Sequence, residues 1–287
     1  MRGESFKWGW LNVGGVRGSL EEIVQLMDDH NFSFLVIGET WLKPMDTLRH
    51  SSITFDLRFP SQDPSRGHGI HGLMVVRNPK ITNLSDFEEV KRDSRNHSYI
   101  WFKFHGIVFG GFYLPPSMDL TTCIECLEST VELPIVPGSG VPVFLMGDLN
   151  MRLGALTGDL ITNLRSNIRT TLQDLGLSWG RPNTGKWTVY TARGRSIVDY
   201  VFANQEAGEL ISKSMVWEDE FIVGSDHKLV SCDTKYWYRS ATTAPSCPGM
   251  GMPRPVRRIR REDIKNPSKR TAALRGFREG RKSAKEA

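Results

Sequence analysis

The segment VPVFLMGDLNMR, residues 141–152, gives the clearest indication of the fold. Its apolar half, residues 141–146, has the composition of a buried β-strand, and Asp148 follows at the C-terminal end of that strand. Asp148 and Asn150 are two residues apart in an extended segment, so their side chains point the same way. This spacing allows a carboxylate and an amide to face one phosphate group or one water molecule together.

Polar residues follow apolar strands at several other places in the chain. The alternating residues 6–13, the apolar run 34–38 and the hairpin strand 108–113 are each typical of a β-strand. In layered α/β folds the C-terminal ends of strands meet at one rim, where binding crevices form. The residues predicted at this rim are Asn12, Glu39, Tyr113, Asp148, Asn150, Asp199, Asp226 and His227.

Four of these residues are carboxylates, and a cation must compensate their charge if they lie close together. They are Glu39, Asp148, Asp199 and Asp226. Carboxylate oxygens and an asparagine amide suit Mg²⁺ or Mn²⁺ better than zinc. The imidazole of His227 can reach a phosphoryl oxygen, and a second carboxylate such as Asp199 can fix the tautomer of that ring.

Composition limits the class of protein. With 287 residues, 39% of them apolar, the chain can bury a substantial core, and no apolar run approaches the ~18 residues that a membrane span needs. The sequence has no signal-peptide pattern and too few cysteines for a disulfide scaffold, so we expect an intracellular protein without membrane attachment. We interpret Cys123-x-x-Cys126 as part of a helix face rather than a metal site.

Charge is divided unevenly along the chain. Residues 238–287 contain 14 Lys and Arg against 4 Asp and Glu, a net charge of +10, so residues 1–237 carry −5 of the total of +5. We therefore predict a folded domain at residues 1–237 and a basic, poorly ordered tail or linker at residues 238–287. Such a segment is typical of a nucleic-acid-contacting or nuclear-targeting extension, and also of a solvated linker.

The chain resembles the endonuclease/exonuclease/phosphatase superfamily, because over roughly residues 6–236 it carries six short motifs in that family's order. The motifs are Leu11-Asn-Val13, Gly38-Glu-Thr-Trp-Leu42, Phe112-Tyr113, Gly147-Asp-Leu-Asn-Met-Arg152, Ser196-Ile-Val-Asp-Tyr200 and Gly224-Ser-Asp-His227. The Glu-Thr-Trp-Leu segment is similar to the endonuclease domain of non-LTR retrotransposons. In the tail, Val256-Arg-Arg-Ile-Arg-Arg261 resembles the linker that joins such a domain to a reverse transcriptase.

This resemblance implies an α/β fold, a four-layered sandwich in which two mixed β-sheets pack face to face with helices on the outer faces. It also implies a monomer whose catalytic domain spans residues 1–237. Asn12, Glu39 and Asp226 would hold the metal. The metal would be Mg²⁺, with Mn²⁺ as the alternative, acting as a Lewis acid.

Roles for the remaining rim residues also follow from the resemblance. Tyr113 would contact the scissile phosphate, while Asp148 and Asn150 would orient and deprotonate the attacking water. His227, oriented by Asp199, would stabilise the charge that develops on the phosphoryl oxygens.

Four further residues are candidates for nucleic-acid contact. Thr188 matches a family position near the phosphate, and Arg152 ends the motif that begins at Gly147. Arg193 and Arg195 lie between two predicted strands, where a hairpin tip either touches phosphates or is simply solvated.

Two departures from related groups narrow the predicted function. Position 14 is Gly where abasic-site endonucleases carry a metal-binding Asp, and Ile197-Val-Asp-Tyr200 replaces the Trp-Cys-Asp-Arg of inositol-phosphate phosphatases. We therefore predict a Mg²⁺-dependent endonuclease that nicks DNA and leaves a 3′-hydroxyl, located in the nucleus if the source is a eukaryote. The alternatives are an inositol-phosphate phosphatase, an abasic-site endonuclease and a catalytically inactive nucleic-acid-binding module.

Overall fold

Thirteen strands form most of the described part of the protein in a computed structural model, which covers residues 5–58, 71–92, 99–118, 121–125, 140–152, 177, 186–192, 194–218 and 225–236. In chain order the strands are β1 (Ser5–Asn12), β2 (Phe32–Gly38), β3 (Ile53–Leu57), β4 (Leu73–Arg77), β5 (Phe87–Arg92), β6 (Tyr99–Phe104), β7 (Ile107–Tyr113), β8 (Val143–Asp148), β9 (Val189–Thr191), β10 (Gly194–Ser196), β11 (Asp199–Ala203), β12 (Ile211–Val216) and β13 (Val230–Lys235). Helices are fewer: α1 (Leu20–Asp29), α2 (Gln205–Leu210), a 3₁₀ turn (Leu84–Asp86) and a helical segment at residues 121–125.

The strands belong to two mixed sheets and one short hairpin. The first sheet has the order β12-β13-β1-β2-β4-β3, the second has the order β11-β8-β7-β6-β5, and β9 pairs with β10. Each sheet contains one parallel pair, β1 with β2 and β7 with β8, while its other pairs are antiparallel. Parallel strands end at the same edge of a sheet, so Asn12 lies opposite Gly38, and Tyr113 lies opposite Asp148.

Apolar side chains fill three layers around these sheets. Between the sheets, Trp8 packs with Phe34, Phe109 and Phe144 in an aromatic core. On the outer face of the first sheet, α1 contributes buried residues to a second cluster, and on the outer face of the second sheet the segment 121–125 contributes Cys123 to a third. This arrangement confirms the predicted α/β sandwich of two mixed sheets packed face to face.

The close approach of β7 and β8 depends on Gly147. A Cβ at this position would lie 2.0 Å from the carbonyl oxygen of Phe112, so a side chain would push the two strands apart. Glycine thus keeps Asp148 directly beside Tyr113 at the end of the parallel pair.

The described residues belong to one compact unit, Met1–Tyr238. Arg193 and residues 238–287 lie outside the described residues, so the domain division at residue 237 and the order of the tail stay predictions. No helix in the described ranges is long and apolar enough to span a membrane.

Candidate active site

All eight predicted rim residues are connected by hydrogen bonds or close ionic contacts at one edge of the sandwich. Asn12 ends β1 of the first sheet and Glu39 directly follows β2, while the strands of the second sheet supply others. The connected set is Asn12, Glu39, Tyr113, Asp148, Asn150, Asp199, Asp226 and His227.

Asn12 joins carboxylates from the two sheets. Its amide nitrogen Nδ2 donates to Oε1 of Glu39 at 2.7 Å and to Oδ2 of Asp148 at 3.1 Å, while its Oδ1 accepts from the backbone N–H of Gly14 at 3.2 Å. The amide nitrogen therefore faces both carboxylates, and the amide oxygen faces the backbone. The sequence predicts Asn12 as a metal ligand, and that role stays a prediction; in the contacts seen here its amide nitrogen holds the two carboxylates in place.

Glu39 is fixed at the end of β2 by an unusual backbone and by its neighbours. Its φ is 51°, in the left-handed region that non-glycine residues rarely adopt, and such strain tends to occur at functional sites. Trp41 Nε1 donates to Oε2 of Glu39 at 3.1 Å. Both carboxylate oxygens thus have a donor, one from Asn12 and one from Trp41.

Tyr113 is buried beside Glu39 and remains a hydrogen-bond donor. Burial, together with the charge of Glu39 and a side-chain hydrogen bond to it, raises the pKa of Tyr113 far above its usual value. Its hydroxyl consequently stays protonated at any physiological pH. A protonated phenol can donate to an oxygen of a bound phosphate.

Asp148 is fully buried and carries unfavourable negative charge. Its Oδ1 accepts from the backbone N–H of Asn150 at 2.6 Å, and its Oδ2 accepts from the side chains of Asn12 and Asn150. Burial, and then the charge of Asp199, raise the pKa of Asp148 above its usual range, although His227 and the hydrogen bonds oppose this. The carboxylate is therefore a better proton acceptor than an exposed aspartate.

Asp199 and His227 form a carboxylate–imidazole pair. Nδ1 of His227 lies 2.9 Å from Oδ2 of Asp199, and Nε2 lies 3.9 Å from an oxygen of Asp148 and from one of Asp226. Burial alone would lower the pKa of His227, but the charge and hydrogen bond of Asp199, with the charges of the two other aspartates, raise it to about 9. The ring is therefore protonated at neutral pH.

The other predicted metal and DNA contacts, Asp226, Thr188, Arg195 and Arg152, differ in their exposure and in their partners. Asp226 is exposed, with 56% of its side chain accessible. Thr188 is buried, and its Oγ1 accepts from the backbone N–H groups of Val198 and Asp199, both at 3.2 Å, so it supports the start of β11. Arg195 lies on β10 with its guanidinium 4.9 Å from the ring of Trp187, and Arg152 is exposed just after the Asp148 motif.

Three aromatic side chains that sequence reasoning did not assign to the site contact its residues. Trp10 Nε1 donates to Oδ1 of Asp199 at 2.8 Å, Trp41 contacts Glu39, and the ring of His71 lies 5.1 Å from that of Tyr113. The alternation of β1 marks Trp10 as an inward residue. No local pattern indicates that it reaches a carboxylate 189 positions away.

The donor set fits a divalent cation. Asp148, Asp199 and His227 each offer a ligand atom within 4.8 Å of the others, and the two carboxylates are fully buried. Because His227 Nδ1 already contacts Asp199, a cation would take its ligands from carboxylates of the site rather than from this ring nitrogen. Burial is the main cause of the raised pKa of Asp148, and the charge of Asp199 adds to it, so a nearby cation would favour the ionised carboxylate.

The sequence profile of the Endonuclease/Exonuclease/phosphatase family matches residues 9–227, and the chain belongs to that family. Its members are hydrolases that act on phosphodiester bonds and use divalent metals. The matched range includes every residue of the site described above. No curated protein matches the chain significantly.

Several solved structures share the fold. The endonuclease domain of TRAS1, a telomere-specific non-LTR retrotransposon, is 16% identical, with a TM-score of 0.60 over 81% of this chain and 99% of that domain. The AP endonuclease LMAP from Leishmania major is 13% identical, with a TM-score of 0.63 over 81% and 88% of the two chains. The 3′ phosphatase NExo from Neisseria, bound to a product DNA hairpin, is 14% identical, with a TM-score of 0.60 over 80% and 100%.

Proposed function

We propose that this protein is a Mg²⁺-dependent endonuclease that nicks one strand of DNA and leaves a 3′-hydroxyl. The observation that carries the proposal is the continuous polar network that runs from Glu39 through Asn12 to Asp148 and on to His227 and Asp199. It combines a cation site, a buried base and a protonated imidazole, the groups that hydrolysis of a phosphodiester requires.

The metal would be held by Glu39 and Asp226, with Asn12 fixing Glu39 from the side. Mg²⁺, or Mn²⁺ in its place, would supply Lewis-acid stabilisation of charge on the phosphate and on the departing 3′-oxygen. Glu39 is half-buried and Asp226 is exposed, so both remain accessible from solvent.

The other residues would handle protons and orientation. Asp148 would take a proton from the attacking water, because its raised pKa suits a general base, and Asn150 would hold that water in line. His227 would donate from Nε2 to a phosphoryl oxygen while Asp199 holds its Nδ1. Tyr113 would donate its hydroxyl proton to another phosphate oxygen.

DNA is the substrate that the similarities favour. The TRAS1 domain is an endonuclease, and NExo is described with a DNA hairpin product. Gly14, in place of a metal-binding Asp, disfavours abasic-site repair, and a reverse transcriptase would be the partner domain if the chain derives from a retroelement. We further propose that the basic residues 238–287 strengthen DNA binding and direct the protein to the nucleus.

A substrate panel tests the proposal. The purified 287-residue chain is incubated in Mg²⁺ with supercoiled plasmid, an abasic oligonucleotide, a 3′-phosphate hairpin and a phosphoinositide. We expect nicking of intact plasmid, with ends that DNA polymerase extends directly. Cleavage restricted to abasic DNA, or phosphate release without nicking, would contradict the DNA-nicking function.

Deletion of residues 238–287 tests the tail separately. We expect weaker DNA binding and a shallower dependence of the binding constant on salt concentration, because fewer phosphate contacts release fewer counterions. An unchanged salt dependence would rule out its contribution to binding.

A further inference from the structure

Two tryptophans on β1, Trp8 and Trp10, are both fully buried in the core between the sheets but have different hydrogen-bond partners. Trp8 Nε1 donates to Oγ1 of Thr234 at 2.7 Å, and Trp10 Nε1 donates to Oδ1 of Asp199 at 2.8 Å. We propose that Trp10 is a positioning residue for His227, acting through Asp199. The inference rests on the proposed function and extends it.

Trp10 and His227 together contact both oxygens of the Asp199 carboxylate. One carboxylate oxygen, Oδ1, accepts from the indole N–H, and the other, Oδ2, lies 2.9 Å from Nδ1 of His227. The side-chain torsion of an aspartate carboxylate has broad, weakly defined minima. If only one oxygen had a hydrogen-bond partner, the carboxylate could rotate and change the orientation of the imidazole bound to it.

The backbone of Asp199 is held independently of Trp10. Its N–H donates to Oγ1 of Thr188 at 3.2 Å, and the residue pairs with Asp148 in the antiparallel register of β11 and β8. The carboxylate torsion is therefore the remaining freedom, and the indole limits it. Because Trp10 belongs to the first sheet and Asp199 to the second, this hydrogen bond also links the sheets next to the site.

Gly38 provides the space that the indole occupies. A Cβ at Gly38 would lie 2.4 Å from Cη2 of Trp10, which is closer than two carbon atoms can approach. Gly38, which directly precedes Glu39, therefore leaves room for the indole of Trp10 beside Asp199. This explains in physical terms why a side chain is not accommodated at the end of β2.

Trp8 offers a matched control within the same strand. Both indoles are fully buried on the inner face of the first sheet, and each donates one buried hydrogen bond to a side chain. Thr234, the partner of Trp8, pairs with Phe6 on β1, toward the end of the strand away from Asn12. Replacing either tryptophan by phenylalanine removes one indole N–H, but only Trp10→Phe removes it from the Asp199–His227 pair.

The test compares Trp10→Phe with Trp8→Phe in Mg²⁺-dependent nicking. We expect Trp10→Phe to lower kcat by about 10-fold to 100-fold, as loss of a supporting hydrogen bond at a site typically does, with KM nearly unchanged. Trp8→Phe should leave both constants within about twofold of wild type. In an Asp199→Asn background, Trp10→Phe should cause no further loss, because the two act as one unit. Equal kcat values for Trp10→Phe and Trp8→Phe would overturn the inference. A further loss of kcat when Trp10→Phe is added to Asp199→Asn would also overturn it.

A second readout does not require activity. The ring ¹⁵N and ¹H resonances of His227 should shift or broaden in Trp10→Phe and stay as in wild type in Trp8→Phe. If Trp10→Phe does not fold, Asp199→Asn gives the reciprocal test: the Trp10 indole N–H signal should move, and that of Trp8 should not. Unchanged His227 or Trp10 signals would overturn the inference even in an active enzyme. Absence of nicking by wild type would instead overturn the proposed function alone.

Discussion

The two sheets contribute different kinds of residue to the candidate site. The second sheet supplies Tyr113, Asp148 and Asp199, which lie within its strands and are at most 4% exposed. Glu39 and Asp226, in contrast, lie outside the strands of the first sheet, and Asp226 is largely accessible. Desolvated groups held by strands suit proton transfer and orientation, whereas accessible carboxylates suit exchange of a metal ion. The difference predicts how each substitution should act.

Asp148→Asn should have the largest effect. The amide cannot accept a proton from water, so we expect a loss of about 10³-fold in the single-turnover rate of nicking, within the range typical of general-base removal. The measurement is cleavage of supercoiled plasmid with protein in excess. Asp233→Asn, a change on β13 outside the site network, serves as the control. A rate within tenfold of wild type for Asp148→Asn would remove Asp148 from the chemistry.

His227→Gln should have the next largest effect. A protonated imidazole that donates to the phosphate would be replaced by a neutral amide, so we expect a loss of about 10²-fold in kcat, similar to the loss of one oxyanion donor. Steady-state kinetics with plasmid DNA measure this loss. A change confined to KM would indicate that His227 contributes to binding only.

Glu39→Gln and Asp226→Asn should act mainly through the metal. The Mg²⁺ concentration for half-maximal activity should rise about tenfold or more for Glu39→Gln and less for Asp226→Asn, because Asp226 is exposed and held by fewer side-chain contacts. Mg²⁺ titrations of the nicking rate give both values. Equal Mg²⁺ requirements in wild type and both variants would exclude these residues as the metal site.

The Asp199–His227 pair should also be visible in a titration without metal. In EDTA, His227 should titrate near pH 9 in wild type, and Asp199→Asn should lower its pKa by removing the adjacent charge. The folded-state pKa of His227 lies above the unfolded value of about 6.5, so the pair stabilises the folded state. This stabilisation is complete below about pH 6.5 and is lost as the pH rises through about 9. NMR titration of the ring protons measures the shift. A pKa that is the same in both proteins would contradict the pairing.

Local sequence patterns predict the parts of this molecule that depend on local geometry. The sequence predicts Asp148 and Tyr113 as site residues because each lies at the C-terminal end of an apolar strand, and parallel pairing brings these two ends together. The two-sheet architecture followed from the resemblance carried by motifs at such strand ends, and it is confirmed.

Contacts between distant segments were not predictable in the same way. The Trp10–Asp199 hydrogen bond crosses from one sheet to the other, and an alternating strand predicts only that Trp10 faces inward. The orientation of the Asn12 amide toward two carboxylates depends on where Glu39 lies, and the positive φ of Glu39 is set by the turn after β2. Tertiary packing determines such details, and the spacing of residues does not encode them.

We propose that a divalent cation among these carboxylates enables phosphodiester cleavage of DNA. The most direct test is the nicking rate of supercoiled plasmid by the 287-residue chain in Mg²⁺ and in EDTA, with the melting temperature recorded in the same buffers. We expect rapid nicking and a higher melting temperature in Mg²⁺, and neither in EDTA, because a ligand that binds the folded state stabilises it. Nicking that persists at the same rate in EDTA would contradict a metal-dependent reaction.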